Sequence, residues 1–528
     1  MEAFLGELQK NLVRVVGNFT RLGIGLMFGL LLVRLQLSFG QDAFSIIILL
    51  GTTVGYLRIF PDIIQHAVIA ELSRAYHSED RHDMSRAFAA AGRVSALIGL
   101  TILTAVSGFA LVVDQVFNIP VELLGATRYL TVCIGIQTMS IALFAPCYKI
   151  LEILERFTEV NFWHMALKLS FLFAAGLVLL FVEGSQERFI ICYGTLSTLF
   201  FGTVMVSIML RAMHLLPHAT FFRRDFCRDA AKRMLRTGVW NTVSNVSMVS
   251  QVVFGAFMAN RFFGIHANGM YGLAIQLGGY VRMCCGGLAY GLDSIAARVL
   301  LVGKSSRRNQ LIEVSTAAHA WAVLTLFPMM VLFPQEILTE WIGPQSKNPQ
   351  FDYAMTANLI RLFAFGAMFH GISDAWDKIL IGAGRVASYA RLQLGITILA
   401  IPLSLAIALK GPEGLRFFSL SFPYTLFYPL FGLWVFPWLL SLWTQQRRWT
   451  MYRPLFKTFA VTLLPVSILF LAGLALPAEG LGLLLLAVLF GTFHVLSSGF
   501  LLVPKQYRRM GFDFLMGLRS RFGGSAAE

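Results

Sequence analysis

Apolar stretches of bilayer length recur along almost the whole chain, and no other feature restricts its fold as strongly. A helix needs about 20 mostly apolar residues to cross the hydrocarbon core of a membrane. Windows of that kind run from Val15 to Leu35, Phe44 to Ala67, Val94 to Val113, Tyr129 to Tyr148, Phe162 to Val182 and Phe189 to Leu210. After a polar, basic interval they resume from Val239 to Ala259, Met270 to Ala296, Val314 to Leu332, Ala357 to Leu380, Leu392 to Leu409 and Phe417 to Leu440. Phe459 to Leu476 and Leu481 to Val503 close the series. With 57% hydrophobic and only 13% charged residues, the chain reads as an all-α polytopic membrane protein of about fourteen transmembrane helices.

The formal charge of +15 raises nucleic acid as a partner, but its placement argues for topology instead. Lys and Arg gather in every second inter-helix segment: Glu71 to Arg93, Arg211 to Arg236, Gly303 to Arg308, Gln445 to Lys457 and the tail from Lys505. Positive charge marks the cytoplasmic side, so both termini are expected in the cytoplasm and the excess charge to meet anionic lipid. Met1 to Arg14 leads into a full-length span without a small-residue cleavage site, so the first helix is expected to stay. The six cysteines show no metal-ligand or redox spacing and read as small hydrophobes.

The chain repeats itself. A gapless shift of 227 positions lays Asn18 on Asn245, Arg34 on Arg261, Phe44 on Tyr271, Gly51 on Gly278 and Ala70 on Ala297. Two pseudo-symmetric six-helix lobes are expected, 1–211 and 239–441, joined by a cytoplasmic amphipathic linker, 212–238. Two additional helices, 442–504, and a basic tail, 505–528, follow. Because each lobe starts on the same side, the repeat is parallel, with a cleft between the lobes. Arg58 and Arg282 both fall inside apolar spans; in this register Arg58 lands on Cys285, one helical turn from Arg282. A charge near the bilayer centre costs at least roughly 2.5–3.5 kcal/mol unless it lines a wet cavity or has a partner.

The residues around the repeated turns also carry a resemblance. Val33 to Ile47 (VRLQLSFGQDAFSII) and Ala259 to Ile275 (ANRFFGIHANGMYGLAI) each close a helix, turn through Gly and enter the next helix at an aromatic. This resembles the entry pattern of Wzx-type polysaccharide and lipid-linked oligosaccharide flippases of the MATE-like exporter superfamily. The relatives that flip lipid II also have fourteen helices, and Asp42 to Phe44 with Leu57 to Phe60 are similar to their second-helix region. The chain departs from them where Arg21 is followed by Leu22 rather than by an acid.

The resemblance implies that the first two helices of each lobe line a central cavity, which here assigns Asn18, Arg21, Arg58, Asn245 and Arg282 to substrate binding. Arginine suits a diphosphate because its guanidinium stays charged when desolvated and its donors match phosphate oxygens. The implied function is export of a polyprenyl-diphosphate-linked oligosaccharide to the outer leaflet of the bacterial inner membrane by alternating access. Polysaccharide polymerase machinery is an implied partner. Interface snorkelling is the competing reading for Arg21 and the favoured one for Arg34 and Arg261, which lie at span ends.

No cofactor is implied. Coupling to H+ or Na+, or to the membrane potential, turns on the carboxylates: Asp62, His66, Asp293, Asp374 and Lys378 are the candidates for coupling or gating. His164 and Lys168, four apart on the fifth span, read as a packed pair or as extra positive charge near a vestibule. A glycan polymerase or ligase needs an outward catalytic loop, and Phe333 to Ala354, with Glu336, Glu340 and Asp352, is short for one. A passive scaffold in an envelope assembly leaves the two arginines unexplained.

Overall fold

The computed structural model describes residues 2–58, 60–61, 68, 71–73, 75–76, 81–154, 156–217, 228–289, 292–302, 305–475 and 479–501. Asp62, His66 and the tail 505–528 lie outside them. All regular elements among the described residues are helical. The first half contains α1 (Glu2–Leu37), α2 (Gln41–Thr52), a 3-10 turn (Val54–Arg58), α3 (Arg81–Leu111), α4 (Leu124–Leu143), α5 (Ala145–Ile153), α6 (Phe157–Phe181) and α7 (Gln186–Leu215). The second contains α8 (Arg228–Phe263), α9 (Ile265–Ala289), α10 (Leu292–Val302), α11 (Ser305–Leu324), α12 (Phe327–Leu332), α13 (Pro334–Ile342), α14 (Tyr353–Gly382), α15 (Val386–Lys410) and α16 (Tyr428–Thr444). Then come α17 (Trp449–Ala475) and α18 (Gly480–Leu501). From Arg228 onward the segment expected as a surface linker continues without a break into α8.

Ten of the described helices are long and apolar enough to cross a bilayer, and the pair α4–α5, bent by 43°, makes an eleventh. The bend falls where Pro146 opens α5, since proline cannot donate to the preceding turn. Three segments read as spans from the sequence fall outside that set: α2, α9 and α14. α2 breaks after Thr52, while α9 carries Arg282 and α14 carries Asp374, Asp377 and Lys378. α2 is too short to cross a bilayer, whereas α9 and α14 are long but carry charged residues in their interiors. Elsewhere the bundle is apolar outside: Leu399, Leu474 and Leu496 are exposed, as expected of surfaces meeting lipid.

Two turns set the register. Gly40 (φ 107°) and Gly264 (φ 90°) both take the left-handed backbone that favours glycine. α1 ends three residues before Gly40, whereas α8 ends immediately before Gly264, so the gapless shift of 227 does not hold across the turn. Counted from these glycines, Arg58 and Arg282 both stand eighteen positions on, but Arg58 ends the 3-10 turn beyond the break in α2 and Arg282 lies within the unbroken α9.

At the end of the bundle that carries both turns the halves are tightly joined. α2 packs along α9, with Ser45 against Gly269 and Ile48 against Gly272 at distances that leave no room for a Cβ. Trp341 Nε1 donates to Leu30 O (2.7 Å), Gln41 to Asn348 (3.3 Å), and Asn118 exchanges hydrogen bonds with Asn260. Within the second half, a Cβ at Gly278 would lie 2.5 Å from Phe363 Cβ and 2.8 Å from the backbone of Ala364. Gly278→Ala should therefore overpack the α9–α14 contact and cost about 1–3 kcal/mol, seen as a lowered unfolding temperature in detergent.

Candidate functional site

The first half gathers positive charge. Arg21, half-buried on α1, shares its surroundings with Lys168 of α6, whose ammonium lies against the bare backbone at Gly25, where any side chain would collide with it. One turn earlier on α6, His164 meets the ring of Tyr148 at 5.1 Å. The fields of Arg21, Lys149, Lys168 and Arg58 all reach His164, Arg21 most strongly. Lys168 in turn feels Arg21 and Arg58. Arg58 ends the 3-10 turn that follows the break in α2 and is exposed. Two residues before it, Tyr56 packs on the buried cluster of the second half and feels Arg282. The turn thus touches the second half, while the charge of its arginine reaches Lys168 and His164 of the first.

Lys149 has its own counter-charge, Glu152 at 2.6 Å, both side chains nearly buried. Among the described residues no carboxylate lies within ion-pair distance of Arg21, Arg58 or Lys168. Among the described residues this cluster carries positive charge without a carboxylate partner.

The corresponding arginine of the second half has the opposite surroundings. Arg282 makes a two-armed pair with Asp374, Nε to Oδ2 and Nη2 to Oδ1 both at 3.0 Å. His370 Nε2 stands 3.7 Å from the same carboxylate, and His370 Nδ1 is 3.3 Å from the Tyr424 hydroxyl. The His370 and Tyr428 rings pack at 4.2 Å. The Asp374 side chain is 12% exposed, but Arg282 keeps 36% of its surface open. Protein surrounds Arg282 at longer range, so that open surface faces space inside the bundle.

The remaining sequence candidates are dispersed. Asn245 is half-buried on α8 and Asp293 half-buried at the start of α10. Asn18 lies on α1, with its side chain outside the described set, as are Asp62 and His66 entirely. The charge of Lys378, one turn beyond Asp374, acts on that carboxylate more weakly than Arg282 does. Sequence reasoning missed Lys149, Tyr56, His370, Tyr424 and Tyr428. A lysine directly after the apolar run ending at Tyr148 and a histidine four positions before Asp374 on the same helix were the available signals; the tyrosines beside His370, Tyr424 and Tyr428, come from a segment far along the chain.

No protein-family model matches the sequence. An uncharacterized membrane protein of Bacillus subtilis (strain 168), EpsK, is 24% identical over 395 residues, which cover 72% of this chain and 73% of that protein. Among solved structures, a multidrug resistance MATE transporter of the MOP superfamily in an inward-facing conformation superposes with a TM-score of 0.66 at 12% identity, covering 81% of this chain and 99% of that one. The lipid II flippase MurJ in an inward closed conformation has a TM-score of 0.66 at 12% identity, over 93% of this chain and 98% of that one. A MOP superfamily transporter from Pyrococcus furiosus, whose structure is described as having a binding pocket of reverse polarity, matches at 0.60. The fold is that of MATE-like transporters and flippases.

Proposed function

We propose that this protein is a flippase, not an enzyme, that moves a polyprenyl-diphosphate-linked oligosaccharide from the cytoplasmic to the outer leaflet of a bacterial inner membrane. The observation that carries this reading is the cluster of Arg21, Arg58 and Lys168, three cations without a carboxylate partner among the described residues. Such a group held inside a membrane bundle costs free energy that an anionic guest repays. The diphosphate would sit at these cations, the sugars in the space reached by Arg282, and the lipid tail in the bilayer.

Two lobes, 1–211 and 239–441, would rock about the α2–α9 contact, each in turn opening one side. Arg211, Arg307, Arg308, Arg447, Arg448 and Lys457 all lie at the end opposite the Gly40 and Gly264 turns. By the positive-inside rule that end, with both termini, would face the cytoplasm and the joined end the outside. In this conformer Asp374 is held in both arms by Arg282 and is poorly available to a coupling ion. The membrane potential is a sufficient drive, since each negative charge carried outward gains about 2.3 kcal/mol per 100 mV. Anionic lipids at the basic end and a polysaccharide polymerase are the proposed partners.

A second cargo, lipid II, has an observation of its own: the lipid II flippase superposes over 93% of this chain against 81% for the multidrug transporter. Both cargoes present a polyprenyl diphosphate. The purified protein in vesicles, given each lipid separately with a fluorescent sugar, should expose the label to an external quencher faster than empty vesicles do. The preferred cargo is the one moved faster, and movement of neither overturns the flippase reading. In cells lacking the protein, glycan repeat units should accumulate on the cytoplasmic leaflet; units outside but unpolymerised would point to a polymerase instead.

A further inference from the structure

Asp42 and His266 each stand two positions beyond their turn glycine, so they are equivalent residues of the repeat. They meet across the contact between the halves, His266 Nε2 to Asp42 Oδ1 at 3.3 Å, each side chain one-third exposed. Directly below, the equivalent pairs Ser45 with Gly269 and Ile48 with Gly272 touch along the same seam. The acid and the imidazole therefore cap the point where α2 and α9 pack against each other, and any opening of this end must part them. The Phe351 ring edges onto His266 at 6.5 Å and onto Phe44 at 6.2 Å, and His266 Nδ1 is buried without a partner.

We propose that Asp42 and His266 form a proton-operated latch that holds this end of the transporter shut. An imidazole takes up its proton between about pH 5 and 8, and neutral it offers Asp42 a hydrogen bond without a charge. Protonated, it pairs with the carboxylate across the seam. Two other local fields act on the pair. Asp42 lies in the first turn of α2, whose N-terminus favours an anion; His266 lies in the first turn of α9, whose N-terminus opposes a cation. Asp42 is the carboxylate that faces the His266 ring across the seam. The other charged groups at this end, on the elements packed against α9, are Arg34 at the end of α1, Arg261 at the end of α8, Lys347 and Asp352 before α14, and Arg361 within it. Asp352 is engaged at the N-terminus of α14, Arg361 with Val331 O and Asn358, and Arg261 with Asn118. In the orientation proposed above this end faces outside, so external acid would hold the transporter in the state loaded from the cytoplasm.

The latch is measurable without cargo, so its outcome is separate from that of the flippase reading. Spin labels at Ser38→Cys and Ser346→Cys, both exposed, on a background with the native cysteines replaced by alanine, report the distance across the seal in lipid nanodiscs. Between pH 8 and pH 5.5 the ratio of sealed to open molecules should rise about two- to fivefold, the range open to one partly exposed pair. His266→Gln should abolish the response. Asp42→Asn should abolish or invert it, because the α9 terminus then acts alone on the ring. The exchanged pair Asp42→His with His266→Asp should restore it. A ratio that does not change with pH, or a response kept in His266→Gln, overturns the proposal, as does its loss in an exchanged pair that still elutes as a folded protein.

Discussion

Changing Arg21 and Arg58 together to glutamine should lower export of the lipid-linked glycan at least roughly 100-fold while leaving the protein folded and in the membrane. A charge-assisted hydrogen bond to a phosphate oxygen is worth about 1.5–3 kcal/mol, and each 1.4 kcal/mol is about a factor of ten. Either single change should therefore cost roughly 10- to 100-fold when cargo is below saturation. The stability expectation has the opposite sign: these cations have no carboxylate partner among the described residues and lie within reach of Lys168 and His164. Removing two like charges relieves repulsion, so the unfolding temperature should hold or rise. Arg58→Lys keeps the charge but loses the donor fork and should retain intermediate transport. The readout is flipping in vesicles at limiting cargo, with protein level and unfolding temperature as controls. Undiminished flipping by a well-folded double variant would remove the cationic cluster from the mechanism.

The second large effect falls on stability. Arg282→Gln leaves Asp374, 12% exposed, as a buried carboxylate with His370 at 3.7 Å and the weaker field of Lys378 in its place. Breaking a buried pair from one side costs about 3–5 kcal/mol, and the lower end, about 3, applies because Arg282 is itself partly open. Asp374→Asn should cost less, about 1–2 kcal/mol, since the orphaned guanidinium is itself more than one-third accessible and keeps an amide partner. The double variant should recover much of the loss, because neither charge is then stranded. Unfolding followed by intrinsic fluorescence in detergent, run as a double-mutant cycle, gives all three values. Equal costs for the two single changes would mean that the internal space beside Arg282 is dry.

How much of this was legible beforehand differs between level and detail. The recurrence of apolar windows specifies a helical membrane bundle without further input, since lipid admits few other backbones. Arg58 and Arg282 stand out for the same reason, as charges where charges are costly. Their correspondence in the repeat was visible only to within a turn of helix. Ser38 and Phe39 lengthen the first turn, and a gapless comparison cannot register an insertion that the backbone absorbs at Gly40.

Sequence by itself determined the class of the molecule, the polar helices within it and the two arginines worth testing, because burial in lipid penalises charge wherever it occurs along a chain. Only the tertiary structure decided what each arginine does. Arg58 and Arg282 stand equally far beyond their turn glycines, yet the charge of one reaches Lys168 and the other is neutralised by Asp374, ninety-two residues away. An ion pair depends on distance in space, and residue types in order along the chain do not contain that distance until the helices have packed.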